Sequence, residues 1–88
     1  MSIEIIYSQK FAREYRKLPR EVKAIAIKQE LIFRQDPFDP RLKTHKLKGK
    51  LKDFLSFSIS FRYRIIFEFD LNRNTVYFHA VGDHDIYE

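Results

Sequence analysis

Residues 55–69, LSFSISFRYRIIFEF, alternate apolar and polar side chains along most of their length. This alternation is typical of a β-strand with one buried and one solvated face. The run is longer than an ordinary strand, so we predict that a turn near Ser60 to Arg62 divides it into two strands. The side chains predicted to point inward are Leu55, Phe57, Ile59, Phe61, Tyr63, Ile65, Phe67 and Phe69, with Ile66 as an apolar exception on the other face.

The segments around this run predict the rest of the fold. Downstream, DLNRN (70–74) predicts a hairpin turn, and residues 75–81 predict a last strand. Upstream, residues 3–7 alternate as a short first strand, followed by a helix over residues 9–17 that Ser8 caps. A second helix begins at Pro19 and ends before the two prolines of residues 36–41. We therefore predict the order β-α-α-β-β-β, an α+β fold with two N-terminal helices on one face of an antiparallel β-sheet.

The length and composition predict one soluble domain over residues 1–88. Hydrophobic residues make up 44% of the chain and aromatic residues 16%, which favours a core built from large rings. There is no cysteine, so disulfides and thiolate metal sites are excluded, and we expect a cytoplasmic protein. No signal peptide and no membrane-spanning stretch is evident, so no membrane partner is expected.

The positive charge is concentrated in one segment. Residues 41–52, RLKTHKLKGKLK, hereafter the basic segment, hold six basic side chains and no acidic one. Such a stripe suits contact with a polyanion, because backbone phosphates relieve the repulsion between neighbouring cations. The alternative is a solvated, lysine-rich loop that keeps the protein soluble. Nucleic acid or an acidic protein segment is the expected partner.

Few residues could carry chemistry. His45 lies within the basic segment and can exchange protons. Arg64 is predicted on the polar face of its strand, where it is either a salt-bridge partner of Glu68 or a phosphate clamp. His79 is better explained as a packed or exposed strand residue. With only two glycines in the chain, no nucleotide-binding loop is present. A metal site built from the histidines and neighbouring aspartates is disfavoured, because residues adjacent on an extended chain point to opposite sides.

Four motifs together resemble the RelE/ParE superfamily of type II toxin–antitoxin toxins, and within it the RelE-like, YafQ-like and YoeB-like mRNA interferases. They are His45-Lys-Leu-Lys-Gly49, Leu55-Ser56 before an alternating strand, Tyr63-Arg64-Ile-Ile-Phe67, and Gly82-Asp-His84 with Tyr87. The resemblance implies a small α+β toxin that enters the ribosomal A site and cuts mRNA without a metal or other cofactor. It also implies an acidic antitoxin that neutralises the toxin and connects it, only indirectly, to operator DNA.

The resemblance also implies roles for particular residues. His45 matches the histidine of the HxLxG motif and is the candidate general base, whereas His84 matches the residue that protonates the leaving group. Arg64 matches the arginine that braces the scissile phosphate, and Tyr87 an aromatic residue that orients or stacks on a nucleotide. The residues expected to hold RNA, ribosomal or messenger, are Arg41, Lys43, Lys46, Lys48, Lys50, Lys52 and Arg62.

The chain departs from these relatives on the strand that follows the basic segment. RelE has two lysines there and the YafQ-like branch a histidine at the second position, whereas this chain has Ser56 and Ser58. Acid–base chemistry would then rest on His45 and His84, in a weak or strictly ribosome-dependent nuclease. Two alternatives share the fold: a ParE-like inhibitor of DNA gyrase, and a catalytically weak module that binds the antitoxin and acts as a co-repressor.

Overall fold

A computed structural model describes residues 3–83 as two helices against one five-stranded sheet. In chain order the elements are β1 (Glu4–Tyr7), α1 (Gln9–Arg16), α2 (Arg20–Gln35), β2 (His45–Lys46), β3 (Leu55–Ser58), β4 (Tyr63–Phe69) and β5 (Thr75–Asp83). Short 3-10 turns occupy Pro40–Leu42 and Gly49–Leu51. The strands lie in the order β1-β5-β4-β3-β2.

The predicted α+β class is confirmed, with two differences in the sheet. β1 pairs in parallel with β5, so the sheet is mixed rather than wholly antiparallel. No tight turn joins these two strands, and a connection through helices allows parallel pairing. The second difference is β2, a two-residue strand within the basic segment that pairs antiparallel with β3. The residues around it do not alternate between apolar and polar, so no strand was predicted there.

The helix boundaries follow local capping. Ser8 precedes α1, and its hydroxyl accepts a hydrogen bond from the Phe11 amide at 2.9 Å, as predicted. The same hydroxyl donates to the carbonyl of His79 at 2.8 Å, which ties the start of α1 to β5. Pro19 was predicted as the first residue of α2, but it occupies the N-cap position and the helix begins at Arg20. The helix ends before Asp36, whose extended backbone suits the residue preceding a proline.

The core lies between α2 and the sheet and is largely aromatic. Phe33 of α2 packs on Phe57 of β3, Phe67 of β4 and Phe78 of β5, with ring centroids 4.8, 4.9 and 5.4 Å away. All four rings are fully buried. Aromatic pairs at these separations contribute beyond their area burial, so this cluster holds the helix layer on the sheet. The opposite side of the sheet is called the open face below.

Two side chains break the predicted alternation. Ser56, expected on the solvated face, is fully buried, and its hydroxyl has no hydrogen-bond partner among residues 3–83. It shares a row across the open face with Ile66 and Ala80, which are also buried. Phe61, expected inside, is 91% exposed, because the Ser60–Arg62 turn interrupts the strand periodicity there. The prediction was therefore right about the turn and wrong about these two side chains.

Replacing Ser56 with Ala should raise the free energy of unfolding by about 1–3 kcal/mol, because a buried hydroxyl without a partner destabilises the fold by that order. Urea unfolding monitored by circular dichroism measures the change. Ser58→Ala is the matched control, since Ser58 lies two residues away, partly exposed, and should change stability by less than about 0.5 kcal/mol. A Ser56→Ala protein less stable than the parent would contradict this account.

Candidate active site and RNA-binding surface

The start of the basic segment is shaped by a short turn that delivers His45 to the sheet. Asp39 caps this turn by accepting a hydrogen bond from the Arg41 amide at 2.9 Å. Lys43 then adopts a left-handed backbone with φ 53°, which redirects the chain into β2. In β2, His45 pairs with Ser56 of β3. The histidine is therefore fixed at the edge of the sheet, rather than carried on an unattached loop.

One hydrogen bond orients the imidazole of His45. Its Nδ1 lies 3.0 Å from the carbonyl oxygen of Lys43. A carbonyl only accepts hydrogen bonds, so Nδ1 carries the proton and donates it to this oxygen. In the neutral ring, Nε2 then keeps its lone pair, and the side chain is exposed. This tautomer is the one a general base needs, with the accepting nitrogen directed away from the backbone.

The strand register places Arg64 on the same face of the sheet as His45. His45 lies opposite Ser56, Ser56 lies opposite Ile66, and Arg64 is two residues from Ile66 on β4. Directly opposite residues and residues two apart share a face. Two strand spacings and two residue rises separate the Cα atoms of His45 and Arg64 by about 12 Å. The two long side chains can therefore approach one phosphodiester between them.

The salt-bridge alternative for Arg64 is not realised. Glu68 was the predicted partner of Arg64, but its Oε1 lies 2.9 Å from Nε2 of His79 instead. Within residues 3–83, no carboxylate oxygen lies within 4.0 Å of the Arg64 guanidinium. An arginine that is not paired with a carboxylate keeps its N–H donors available for phosphate oxygens.

Arg64 also lines a cationic pocket of about 400 Å³ at the end of β3, together with Arg41, Lys43, Ser58 and Ser60. Gln29 of α2 forms part of its wall, and its side-chain amide donates to the carbonyls of Ser58 at 2.8 Å and Arg41 at 3.4 Å. This glutamine thereby joins the helix, the basic segment and β3 around the pocket. In the sequence, Gln29 is a polar residue on the side of α2 that carries the apolar residues Val22, Ala26 and Phe33. This was the one sequence signal that could have identified it.

Two of the predicted RNA-binding arginines are paired, which corrects the expectation of unpaired charge for Arg41. Arg41 binds both oxygens of Asp39, at 3.0 and 2.9 Å, and this guanidinium lowers the pKa of Asp39 to about 2. Arg62 contacts one oxygen of Asp83 at 2.6 Å. In contrast, the lysines show no ion pair with any residue from 3 to 83, and all are exposed: Lys43, Lys46, Lys48, Lys50 and Lys52.

His79 lies on β5 and lines a different pocket from Arg64, together with Phe54, Ile66 and Ala80. Its ring is half-exposed, bonds to Glu68, and meets the ring of Phe54 edge to face at a centroid distance of 4.9 Å. These contacts agree with a packed strand residue. His84 and Tyr87 lie outside the described residues. Asp83, the residue before His84, ends β5 opposite Tyr63, the neighbour of Arg64.

Two further findings concern the described part of the chain as a whole. Among residues 3–83, no three histidine, aspartate or glutamate side chains lie close enough together to hold a metal ion. Neither helix in this range has the length and apolar character that crossing a bilayer requires.

Comparison with known proteins identifies the fold. No protein-family profile and no curated protein matches the sequence, but solved structures match it closely in shape. The toxin–antitoxin complex RelBE2 from Mycobacterium tuberculosis matches with a TM-score of 0.78 and 19% identity, over 94% of this chain and 99% of that chain. The YoeB/ParE toxin from Agrobacterium tumefaciens matches at 0.77 and 13%, over 93% and 99%. YafQ from E. coli matches at 0.69 and 17%, over 96% of each chain. The chain thus has the fold of RelE-like toxins.

Titration of Asp39 tests the pairing in the basic segment. Because Arg41 lowers the pKa of Asp39 from 3.8 to about 2, the ion pair stabilises the fold above pH 3.8, and this contribution is lost as the pH falls towards 2. Replacing Arg41 with Gln should return the pKa of Asp39 towards 3.8, as measured by carboxyl-carbon NMR. Arg62→Gln, which removes the pair with Asp83, is the control and should leave Asp39 unchanged. An unaltered Asp39 pKa in the Arg41 variant would contradict the assignment.

Proposed function

We propose that this protein is the toxin of a type II toxin–antitoxin system, with residues 1–88 as its single toxin domain. Its activity is that of a ribosome-dependent endoribonuclease that cleaves translated mRNA without a metal ion. The observation that carries this proposal is that His45 and Arg64 lie on the same face of the sheet. Nε2 of His45 is available as a hydrogen-bond acceptor, and Arg64 is bound to no carboxylate among the described residues.

The arrangement supports cleavage by an internal nucleophile. Nε2 of His45 takes the proton of the ribose 2′-hydroxyl, whose oxygen attacks the adjacent phosphorus while the bond from phosphorus to the 5′-oxygen breaks. His84 gives a proton to that departing oxygen. The products are a 2′,3′-cyclic phosphate and a free 5′-hydroxyl. Arg64 binds the non-bridging oxygens, where negative charge accumulates in the transition state.

The remaining predicted residues serve binding. Tyr87 stacks on or orients a nucleotide next to the scissile bond. The exposed lysines of the basic segment contact phosphates of messenger or ribosomal RNA. They supply its unpaired charge, because Arg41, the other basic residue that could bind RNA there, forms an ion pair with Asp39. An acidic antitoxin would cover this surface in the inactive complex and would provide the only link to operator DNA. A cytoplasmic location accords with each of these partners.

Two other functions are compatible with the fold. A gyrase inhibitor of the ParE kind would need no proton exchange, so the orienting bond of His45 favours the nuclease. Overproduction separates these two functions, since a nuclease stops protein synthesis whereas a gyrase inhibitor induces DNA-damage signalling. The burial of Ser56, which removes its hydroxyl from the surface, favours a catalytically weak antitoxin-binding module instead. Cleavage assays with purified ribosomes separate that module from the nuclease.

Replacing His45 and His84 together with Ala should abolish mRNA cleavage in a translation extract and restore growth of producing cells. Removing the base and the acid costs about 10²–10⁴-fold for each group. His79→Ala is the matched control, because this histidine contacts Glu68 and lies outside the proposed site. Thermal unfolding verifies that each variant folds. Continued cleavage by the folded double variant would refute the nuclease assignment.

Replacing Arg64 with Gln should lower the single-turnover cleavage rate on purified ribosomes by about 10²–10³-fold, since one preorganised donor to the developing charge is lost. Arg64→Lys should recover only part of the rate, because an ammonium cannot bind two oxygens in a planar fork. Arg20→Gln, at an exposed position at the start of α2, controls for net charge. Equal rates for the Arg64 and Arg20 variants would exclude a phosphate-binding role.

A further inference from the structure

Phe61 is far more exposed than the phenylalanines of the two strands that it joins. Its side chain is 91% exposed, whereas Phe57 and Phe67 on the adjoining strands are fully buried. The position lies at the tip of the turn between β3 and β4. A large apolar ring left in water forgoes the stabilisation that burial would provide, so the fold itself does not explain its presence.

The turn that carries Phe61 is anchored on both sides. The amide of Ile59 donates to the carbonyl of Tyr63 at 2.9 Å, which closes the base of the turn. The next residue, Arg62, is bound to Asp83 of β5 through its guanidinium, at 2.6 Å. The ring of Phe61 is therefore displayed from a fixed backbone, and an aromatic platform held in this way loses little conformational entropy when a ligand stacks on it.

The surroundings of Phe61 are cationic. Phe61 lines the same pocket as Arg41, Lys43 and Arg64, and Ser58 and Ser60 also form part of its lining. Asp39 offsets the charge of Arg41, so Lys43 and Arg64 provide the net positive charge. A pocket with cations, hydroxyl donors and one exposed aromatic ring matches the two parts of a nucleotide, an anionic phosphate and a flat, uncharged base.

We propose that Phe61 and this pocket form a nucleotide subsite, in which a phosphate of single-stranded RNA enters the pocket and the neighbouring base stacks on Phe61. The subsite rests on the proposed function for its RNA substrate and adds a binding residue to it. Because Phe has no hydrogen-bonding group, the stacked base is held without preference for its identity. Lysine is depleted from the apolar core of protein interfaces, so Lys43 in the same pocket favours a nucleotide over an apolar protein anchor at Phe61.

Binding of a short 2′-O-methyl RNA tests the proposal, because such a strand has no 2′-hydroxyl nucleophile and cannot be cut by this reaction. The strand carries 2-aminopurine at one position at a time, and stacking on Phe61 quenches its fluorescence. Phe61→Ala should remove the quench at one position and weaken binding about 5- to 150-fold, which corresponds to about 1–3 kcal/mol per stacked base. Phe61→Trp should retain or strengthen both, and Phe38→Ala, at a half-exposed ring outside the pocket, should have no effect.

A strand with one abasic nucleotide isolates the base from the phosphate. The abasic strand should bind the parent protein as weakly as the intact strand binds Phe61→Ala, and Phe61→Ala should lose little further affinity for it. The proposal is overturned if Phe61→Ala binds the intact strand as tightly as the parent does. It is also overturned if Phe61→Ala weakens intact and abasic strands by the same factor at every position.

The outcome for the subsite is separable from the outcome for the nuclease. A protein that stacks the probe on Phe61 but cuts no mRNA on ribosomes keeps the subsite and refutes the nuclease. A protein that cuts mRNA, yet binds the probe equally well with and without the Phe61 ring, keeps the nuclease and refutes the subsite. The probe measurement needs neither His45 nor ribosomes, so a failure of catalysis does not obscure it.

Discussion

The packing of Phe33 against the sheet determines what the rest of the molecule can do. Its ring contacts one phenylalanine on each of the three central strands, Phe57 of β3, Phe67 of β4 and Phe78 of β5, and so one face of the sheet belongs to the core. Because side chains alternate along a strand, the residues between these rings must project to the other face. This constraint places Arg64 on the open face, together with His45 and Ser56. Their position does not depend on any contact that their own side chains make.

The elements that local chemistry specifies could be predicted from the sequence. Alternation identified β3 and β4, the Ser8 cap identified α1, and the prolines at positions 37 and 40 ended α2. The parallel pairing of β1 could not be predicted, because it depends on where two helices return the chain rather than on any residue of β1. The burial of Ser56 arises from tertiary packing, and the exposure of Phe61 arises from the turn between β3 and β4. The alternation of apolar and polar residues along a strand predicts neither.

The candidate site was predictable in a different way. His45 and Arg64 were singled out by residue type, and the resemblance to RelE-like toxins gave them roles, but only the register of β2 to β4 shows that they share a face. The tautomer of His45 depends on the left-handed backbone of Lys43, which no propensity indicates at a lysine. The pairing of Arg41 with Asp39 was missed because the acidic partner lies just before the basic segment.

The parallel pairing of β1 with β5 also constrains when the protein can fold during synthesis. Residues 4–7 pair with residues 75–78, so the first strand can pair only after both helices and the intervening strands have been made. Contacts this distant in sequence must first overcome the entropy of closing a long loop, which slows their formation. Until β5 has emerged from the exit tunnel, β1 lacks its neighbour and the sheet stays incomplete. The first strand to be synthesised is therefore among the last to join the sheet.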